Sequence, residues 1–277
     1  MIAKFYHWLH GQWPAGTVEK LPEVGENGAT NVSGVRIVGD LTGIPLLKFS
    51  SDTGAKAVQA IMAESDFPSA RQGKGENVVD IAIIGGGVSG FSAAMEAKKS
   101  GLSYVLYESS QAFSTVANFP KAKPIFTYPT DLKPAGGITY EGDVGVKEKL
   151  LADMKRQVSE AGVESTEGMI NRVEKSGSEI ILHHAGREKK KTHALRCIVA
   201  IGRSGNYRKM GIPGEDLNNV SNRLHDPKTF KDQDVMVVGG GDSAAEAAIA
   251  LAEADARVVI SYRKPEFNRP KPENIAK

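Results

Sequence analysis

Two glycine-rich turns carry the chemistry in this sequence. The first is Gly85-x-Gly87-x-x-Gly90, preceded by the apolar run Val78–Ile84 and followed by an Ala-rich stretch. Gly85 permits a tight strand-to-helix turn. Gly87 has no Cβ, so a pyrophosphate can approach the backbone, and Gly90 lets helix and strand pack closely. Free N–H groups at the helix start, around Val88 and Ser89, face the phosphate, aided by the helix dipole. The next apolar run ends at Glu108, eighteen residues past Gly90. A carboxylate there can accept hydrogen bonds from both ribose hydroxyls of a dinucleotide. This loop alone does not separate FAD from NAD.

The second turn, Gly239-x-Gly241-x-x-Ala244, repeats the device, with Asp242 and Ser243 at the helix start. Its second strand ends Ile260-Ser261-Tyr262-Arg263-Lys264, and no acid stands where Glu108 stood. Arg263 and Lys264 occupy that region, with Arg269 and Lys271 close behind. A carboxylate would repel a 2′-phosphate, whereas a guanidinium pairs with it through two hydrogen bonds. The pattern points to NADPH over NADH. The other reading is an exposed basic loop with no ligand.

These motifs need elements to hold them. Val78–Glu108 and Asp234–Arg263 each read as a βαβ unit. Between them lie an amphipathic helix at Val146–Ala161 and three strand-like runs at Glu167–Val173, Glu179–His184 and Thr192–Ile201. The Glu188–Lys191 run reads as a solvated hairpin tip. Upstream, Val35–Val38 is a short strand ending in Gly39-Asp40, and Asp52–Met62 reads as a helix with Asp52 near its start. Glu64–Asn77, polar with Pro and Gly, reads as a linker.

Composition limits the function classes. The 277 residues suffice for one large domain or two ordinary ones. A net charge of +2 gives no field that favours nucleic acid. No apolar run approaches the ~18 residues that cross a bilayer, and the N-terminus lacks an apolar signal-peptide core, so a cytoplasmic location is expected. The one cysteine, Cys197, lies in an apolar run and reads as a small core residue. The six histidines form no metal-ligand constellation: His7 and His10 lack partners, and His183 and His184 point to opposite faces of a strand.

Four blocks together resemble the thioredoxin-reductase-like flavoproteins of the pyridine nucleotide–disulfide oxidoreductase superfamily. Ile83–Gly90 with Glu108 is similar to the family's FAD-ADP site. Val199-Ala200-Ile201-Gly202 followed by Ile212-Pro213-Gly214-Glu215 resembles its exit from the FAD domain. Val237–Glu246 with Tyr262-Arg263-Lys264 and Arg269 resembles the NADP site and its basic strand end. Thr30–Asp40 resembles the "TxVPGVFAAGD" block, whose aspartate contacts the ribityl and pyrophosphate region of FAD, and that role passes to Asp40. The alternative for Asp40 is a strand-end residue making only a local turn.

The resemblance implies an α/β, three-layer FAD/NAD(P)-binding Rossmann-like fold with a β-meander, and a partial second Rossmann domain. In the family the Gly-Asp block comes last, whereas here it comes first. The chain is therefore expected to be circularly permuted, the other reading being the tail of an upstream copy. Residues 1–217 form the FAD-binding domain, composed of permuted segment 1–63, linker 64–77 and glycine-loop half 78–217. Residues 218–277 form an incomplete NADP-binding domain, and a fragment is suspected, since one βαβ unit alone leaves apolar edges unpaired.

The implied reaction is hydride transfer from the nicotinamide C4 of NADPH to the flavin N5 of FAD. The helix starting near Asp52 is expected to aim its positive end at the flavin O2 side. The family's CxxC has no counterpart, so electrons leave the flavin directly for an unidentified acceptor: a ferredoxin, a quinone, a small disulfide or a downstream domain. The aromatic loop Ala117–Pro129 either walls the flavin or acceptor site or packs in the core. No general acid or base stands out. The alternatives are a non-catalytic electron-transfer module of a larger protein and, further off, a flavin-free NAD(P)-dependent dehydrogenase. The expected partners are a nicotinamide nucleotide and the acceptor, with no nucleic acid, and a homodimer stays open.

Overall fold

The computed structural model describes residues 21–140, 145–186, 190–203, 210–268, 270 and 272–277. Arg269, Lys271, His7, His10 and, from the Glu188–Lys191 run, Glu188 and Lys189 lie outside them. The described chain divides into two compact units, one of residues 21–118 and 122–215, the other of 119–121 and 216–277.

The first unit is organised around β7 (Lys191–Val199). Along one edge runs β2 (Val78–Ile84), parallel, from Val78 opposite His193 to Ile84 opposite Val199. The other edge is shared. β6 (Glu179–His184) pairs antiparallel with its first half, and β1 (Val35–Ile37) pairs parallel with Cys197–Val199. β3 (Tyr104–Glu108) and then β4 (Thr166–Glu167) extend the sheet beyond β2, and β5 (Ile170–Ser176) extends it beyond β6. The strand order is β4-β3-β2-β7-β6-β5, with β1 joined to β7.

Both faces of the parallel strands are covered, which is why β2 reads as an apolar run and not as an alternation. On one face α1 (Leu47–Met62) packs against α3 (Val88–Lys99). Gly54 of α1 lies so close to the Ser89 carbonyl that any Cβ would collide with it. On the other face Ala82, Ile84, Tyr107 and Cys197 share a core with Ile180 and Leu182 of β6. Helices, parallel strands and the β5-β6-β7 meander make three layers. α5 (Lys147–Glu160) buries Leu150, Met154 and Val158, the one-face spacing its sequence shows. The connections also carry two short helices, α2 (Phe67–Gly73) and the single turn α4 (Ser114–Ala117).

Two local expectations need correction. The helix expected from Asp52 begins at Leu47, and Asp52 lies buried in its second turn. An aspartate suits a helix start by type, but this carboxylate accepts the Ala135 N–H at 3.0 Å and pairs with Lys56 at 2.7 Å. The stretch read as a linker carries α2, because its polar residues have partners. Glu64 bridges Arg36 and Arg196 at 2.7 and 2.5 Å, Asp66 pairs with Arg196 at 2.9 Å, and the Arg196 guanidinium lies over the ring of buried Phe67.

The second unit is one βαβ hairpin of parallel strands, β8 (Asp234–Val238) and β9 (Arg257–Ser261), joined by α6 (Asp242–Ala252). Ala245, Ala248 and Leu251 of α6 are buried. Met236, Val238 and Val259 remain exposed on this two-stranded sheet. A short helix, α7 (Pro272–Ala276), follows.

At the amino end of β2, Asp80 is 1% exposed and held by Lys74 at 2.7 Å, Arg71 at 3.1 Å and the Ser103 N–H at 2.8 Å. Burial opposes its charge, but the Lys74 ammonium and the Ser103 amide and hydroxyl outweigh that and hold the carboxyl below its ordinary value. A depressed carboxyl stabilises the fold above its unfolded pKa and loses that contribution as pH falls. Asp80→Asn is expected to cost about 2–4 kcal/mol in urea unfolding at pH 7. The gap between variant and wild type should narrow as pH drops below about 4.

Candidate functional site

The carboxyl ends of β1, β7 and β2 lie side by side. The Val38 N–H donates to the Val199 carbonyl at 3.0 Å and the Ala200 N–H to the Ile84 carbonyl at 2.8 Å. In open α/β sheets this is the end where ligands bind.

Gly85 leaves β2 with φ +107°, a conformation that only glycine adopts readily, and a Cβ there would come within 2.5 Å of the Ala200 carbonyl oxygen. Gly90 packs against the Gly85 carbonyl and Leu106, leaving no room for a side chain. Gly87, the residue before α3, faces open space, with nothing within 4 Å of a built Cβ. An approaching phosphate needs such a cradle in front of the first amides of α3, so these residues fit a pyrophosphate. Buried Glu108 accepts from the Gly86 N–H at 2.7 Å with one oxygen and from the Ser110 N–H at 2.8 Å with the other.

Gly39 and Asp40 reach this same loop. Gly39, with φ +74°, touches Ser89: a Cβ on it would stand 2.5 Å from the Ser89 Oγ. Asp40 accepts a hydrogen bond from the Ser50 hydroxyl at 3.1 Å, so the first turn of α1 lies beside it. Burial pushes the Asp40 carboxyl above its ordinary value, with the Ser50 hydrogen bond and the Arg203 charge partly offsetting. Gly202, with φ +63° and nothing near it, follows the end of β7. The structure thus gathers Gly39, Gly85, Gly87, Val88, Ser89 and Gly90 around one strand end.

Sequence reasoning missed the polar side of α1. Buried Lys48 donates to the carbonyls of Pro129 and Thr130 at 2.8 and 2.9 Å, and the Ser51 hydroxyl donates to the Ile138 carbonyl at 2.7 Å. Nothing in a Lys-x-x-Ser spacing announces a loop more than eighty residues away, from Lys48 to Pro129 at a separation of 81 positions. The clamp sets the aromatic loop against α1. Ile125 is buried, but Phe126 and Tyr128 are exposed by 70% and 58% and stack with centroids 6.0 Å apart. Core packing therefore does not account for those two rings.

In the second unit Gly239, with φ +143°, donates its N–H to the Ser261 carbonyl at 3.0 Å. A Cβ on it would stand 3.1 Å from the Ala244 Cβ, the close packing that a small residue allows. Gly241 precedes α6 and, like Gly87, has nothing within 4 Å of a built Cβ. Asp242 accepts from the Asn274 amide at 2.9 Å. Ser243 lies in the first turn of α6, and Arg263 and Lys264 are exposed beyond β9.

The chain matches the pyridine nucleotide-disulphide oxidoreductase family over residues 82–275 and belongs to it. It is 32% identical over 196 residues to the ferredoxin–NADP reductase of Ignicoccus hospitalis, covering 69% of this chain and 58% of that one. It is 28% identical over 200 residues to the thioredoxin reductase of Peptoclostridium acidaminophilum, covering 71% and 58%. The solved bacillithiol disulfide reductase of Bacillus cereus superposes with a TM-score of 0.60 at 28% identity, covering 72% of this chain and 63% of that one. The matched region spans under two thirds of the length of these relatives. Among the described residues no helix is long and apolar enough to cross a membrane.

The family name refers to disulfides, yet these 277 residues hold one cysteine. Cys197 is fully buried in β7, and burial pushes its thiol up to about 12. A disulfide-exchange thiol reagent is expected to modify it at least ~100-fold more slowly in native buffer than in guanidinium. Rapid native labelling would show that β7 is not covered as described.

Proposed function

We propose that this chain binds FAD at the carboxyl ends of β1, β7 and β2 and NADPH at the second glycine turn, and that it is an NADPH-dependent flavin oxidoreductase. The observation that carries the reading is the contact of Gly39 with Ser89, which sets the Gly-Asp turn beside the first glycine loop. A purely structural glycine turn explains Gly85 and Gly90 but not the half-buried, partly desolvated carboxylate of Asp40 that follows Gly39. The names of the relatives, a ferredoxin–NADP reductase and a thioredoxin reductase among them, support the same class of reaction.

Each group has a definite task. The open backbone at Gly87 and the first amides of α3 would hold the FAD pyrophosphate. Glu108 would exchange its loop amide for the adenosine ribose, and Asp40 would hold the ribityl side. Bound FAD would supply the ring that accepts hydride from the nicotinamide and passes electrons on. The one cysteine is buried, so these residues offer no dithiol pair, and the acceptor must meet the cofactor directly. A ferredoxin, a quinone, a small disulfide or a further domain fits that requirement. The proposal includes a circular permutation, in which residues 1–63 supply the part of the FAD domain carrying Asp40 and residues 218–277 the NADP-binding part. A cytoplasmic setting goes with it.

Three measurements test the reading. NADPH added anaerobically to the FAD-loaded protein is expected to bleach the visible flavin absorbance, and a protein that cannot be reconstituted with FAD would refute it. Asp40→Asn should weaken FAD binding about tenfold or more, as Glu108→Ala should. The same Asp40→Asn change is expected to leave the FAD-free protein as stable at neutral pH or more so. A carboxyl whose pKa is raised on folding opposes folding once it is ionised, and the amide removes that charge. Unchanged FAD affinity in Asp40→Asn would remove the N-terminal segment from the site.

A further inference from the structure

Lys48 stands where packing alone would not put it. It lies in the first turn of α1 and is 4% exposed. Its ammonium donates to the carbonyls of Pro129 and Thr130, and to nothing else among the described residues. None of the nearby carboxylates neutralises it. Asp52, one turn along α1, pairs with Lys56 and accepts the Ala135 N–H. Asp40 is bonded by Ser50 and feels the charge of Arg203. Asp131, next to Thr130, is exposed. A buried charge without a counter-charge is costly. The first turn of a helix adds to the cost, because the positive end of the dipole repels a cation.

Holding the loop does not require that charge. Two carbonyls need two N–H donors, and a neutral amide offers them. Ser51 and Asp52 also fasten the same loop, at Ile138 and Ala135. What a neutral donor lacks is the positive charge.

The position of the charge gives it a task. With the FAD pyrophosphate on the amides after Gly87 and the ribityl side at Asp40, the ring lies beyond Asp40. The first turn of α1 stands there, since its Ser50 hydroxyl donates to Asp40 at 3.1 Å. Hydride from NADPH carries two electrons and one proton. The donor leaves as NADP with a positive charge on its nicotinamide, and the neutral flavin ring gains one negative charge.

We infer that Lys48 is the counter-charge for the reduced ring of bound FAD and raises its midpoint potential. This rests on the FAD reading above. The effect needs no contact with the ring, because a charge acts through a poorly screened interior. The oxidised ring is neutral, so the charge favours the reduced form over the oxidised one.

The test uses the full chain loaded with FAD. Its midpoint potential is measured by anaerobic equilibration with an indicator dye, beside the dissociation constant of oxidised FAD. Lys48→Met has similar length without the charge. It should favour the oxidised form about tenfold or more, a potential ~30 mV more negative for the two-electron couple. Lys48→Gln keeps two donors for the loop, should shift the potential the same way, and reads the charge if the Met variant does not fold. Lys48→Arg keeps the charge and should stay within about twofold of wild type. Affinity for oxidised FAD should move by less than about threefold in all three. A loop clamp alone would change the affinities for oxidised and reduced FAD together and leave the potential in place. If the neutral variants hold FAD at the wild-type potential, or Lys48→Arg shifts it as Lys48→Met does, the role of Lys48 is refuted and the FAD reading survives. If wild type binds no FAD, the FAD reading fails and the inference fails with it.

Discussion

The parallel pairing of β1 with the second half of β7 is the constraint on which the rest depends. It comprises three register positions, Val35 to Cys197, Arg36 to Ile198 and Ile37 to Val199. β7 offers this edge only because the meander strand β6 leaves it after its first four residues. Once β1 is seated there, its carboxyl end lies level with that of β2, since both are in register with Val199. The chain leaving β1 must then turn at Gly39 against Ser89, and α1 must return across α3. Gly54 allows that crossing, and the ion pairs of Glu64 with Arg36 and Arg196 tie the departing chain to the strands it has joined.

The same geometry relates stability to function. Asp40 is half-buried where its charge is disfavoured, and Glu108 is buried against a loop amide. Neither placement is what packing alone would select, because a buried carboxylate needs partners that an apolar side chain would not. Asp80, at the far end of β2, shows the contrast. Its partners lower its pKa, and it works for the fold. Two carboxylates on neighbouring parts of one sheet are thus pushed in opposite directions by their surroundings, and the one pushed up lies at the candidate site.

Much of this was legible in the residues. The two glycine turns, β6, β7 and α5 fall where periodicity and turn chemistry put them, because each is specified by local spacing; the run read as one strand over Glu167–Val173 is instead broken, with β4 ending at Glu167 beside β3 and β5 starting at Ile170 beside β6. Glu108 was legible for the same reason. Asp52 misled because a residue type that caps helices was read without its tertiary partner, Ala135. The polar stretch 64–77 misled because composition cannot show that Glu64 and Asp66 face Arg196, some 130 positions away in the chain. The Lys48 clamp on the aromatic loop is of the same kind.

The most direct test of the central claim is a crystal structure of this chain grown with FAD. The account predicts one cofactor whose pyrophosphate lies on the amides after Gly87 while its ribityl side lies against Asp40. Density that engages only one of these two segments, or FAD bound away from the carboxyl ends of β1, β7 and β2, would contradict it.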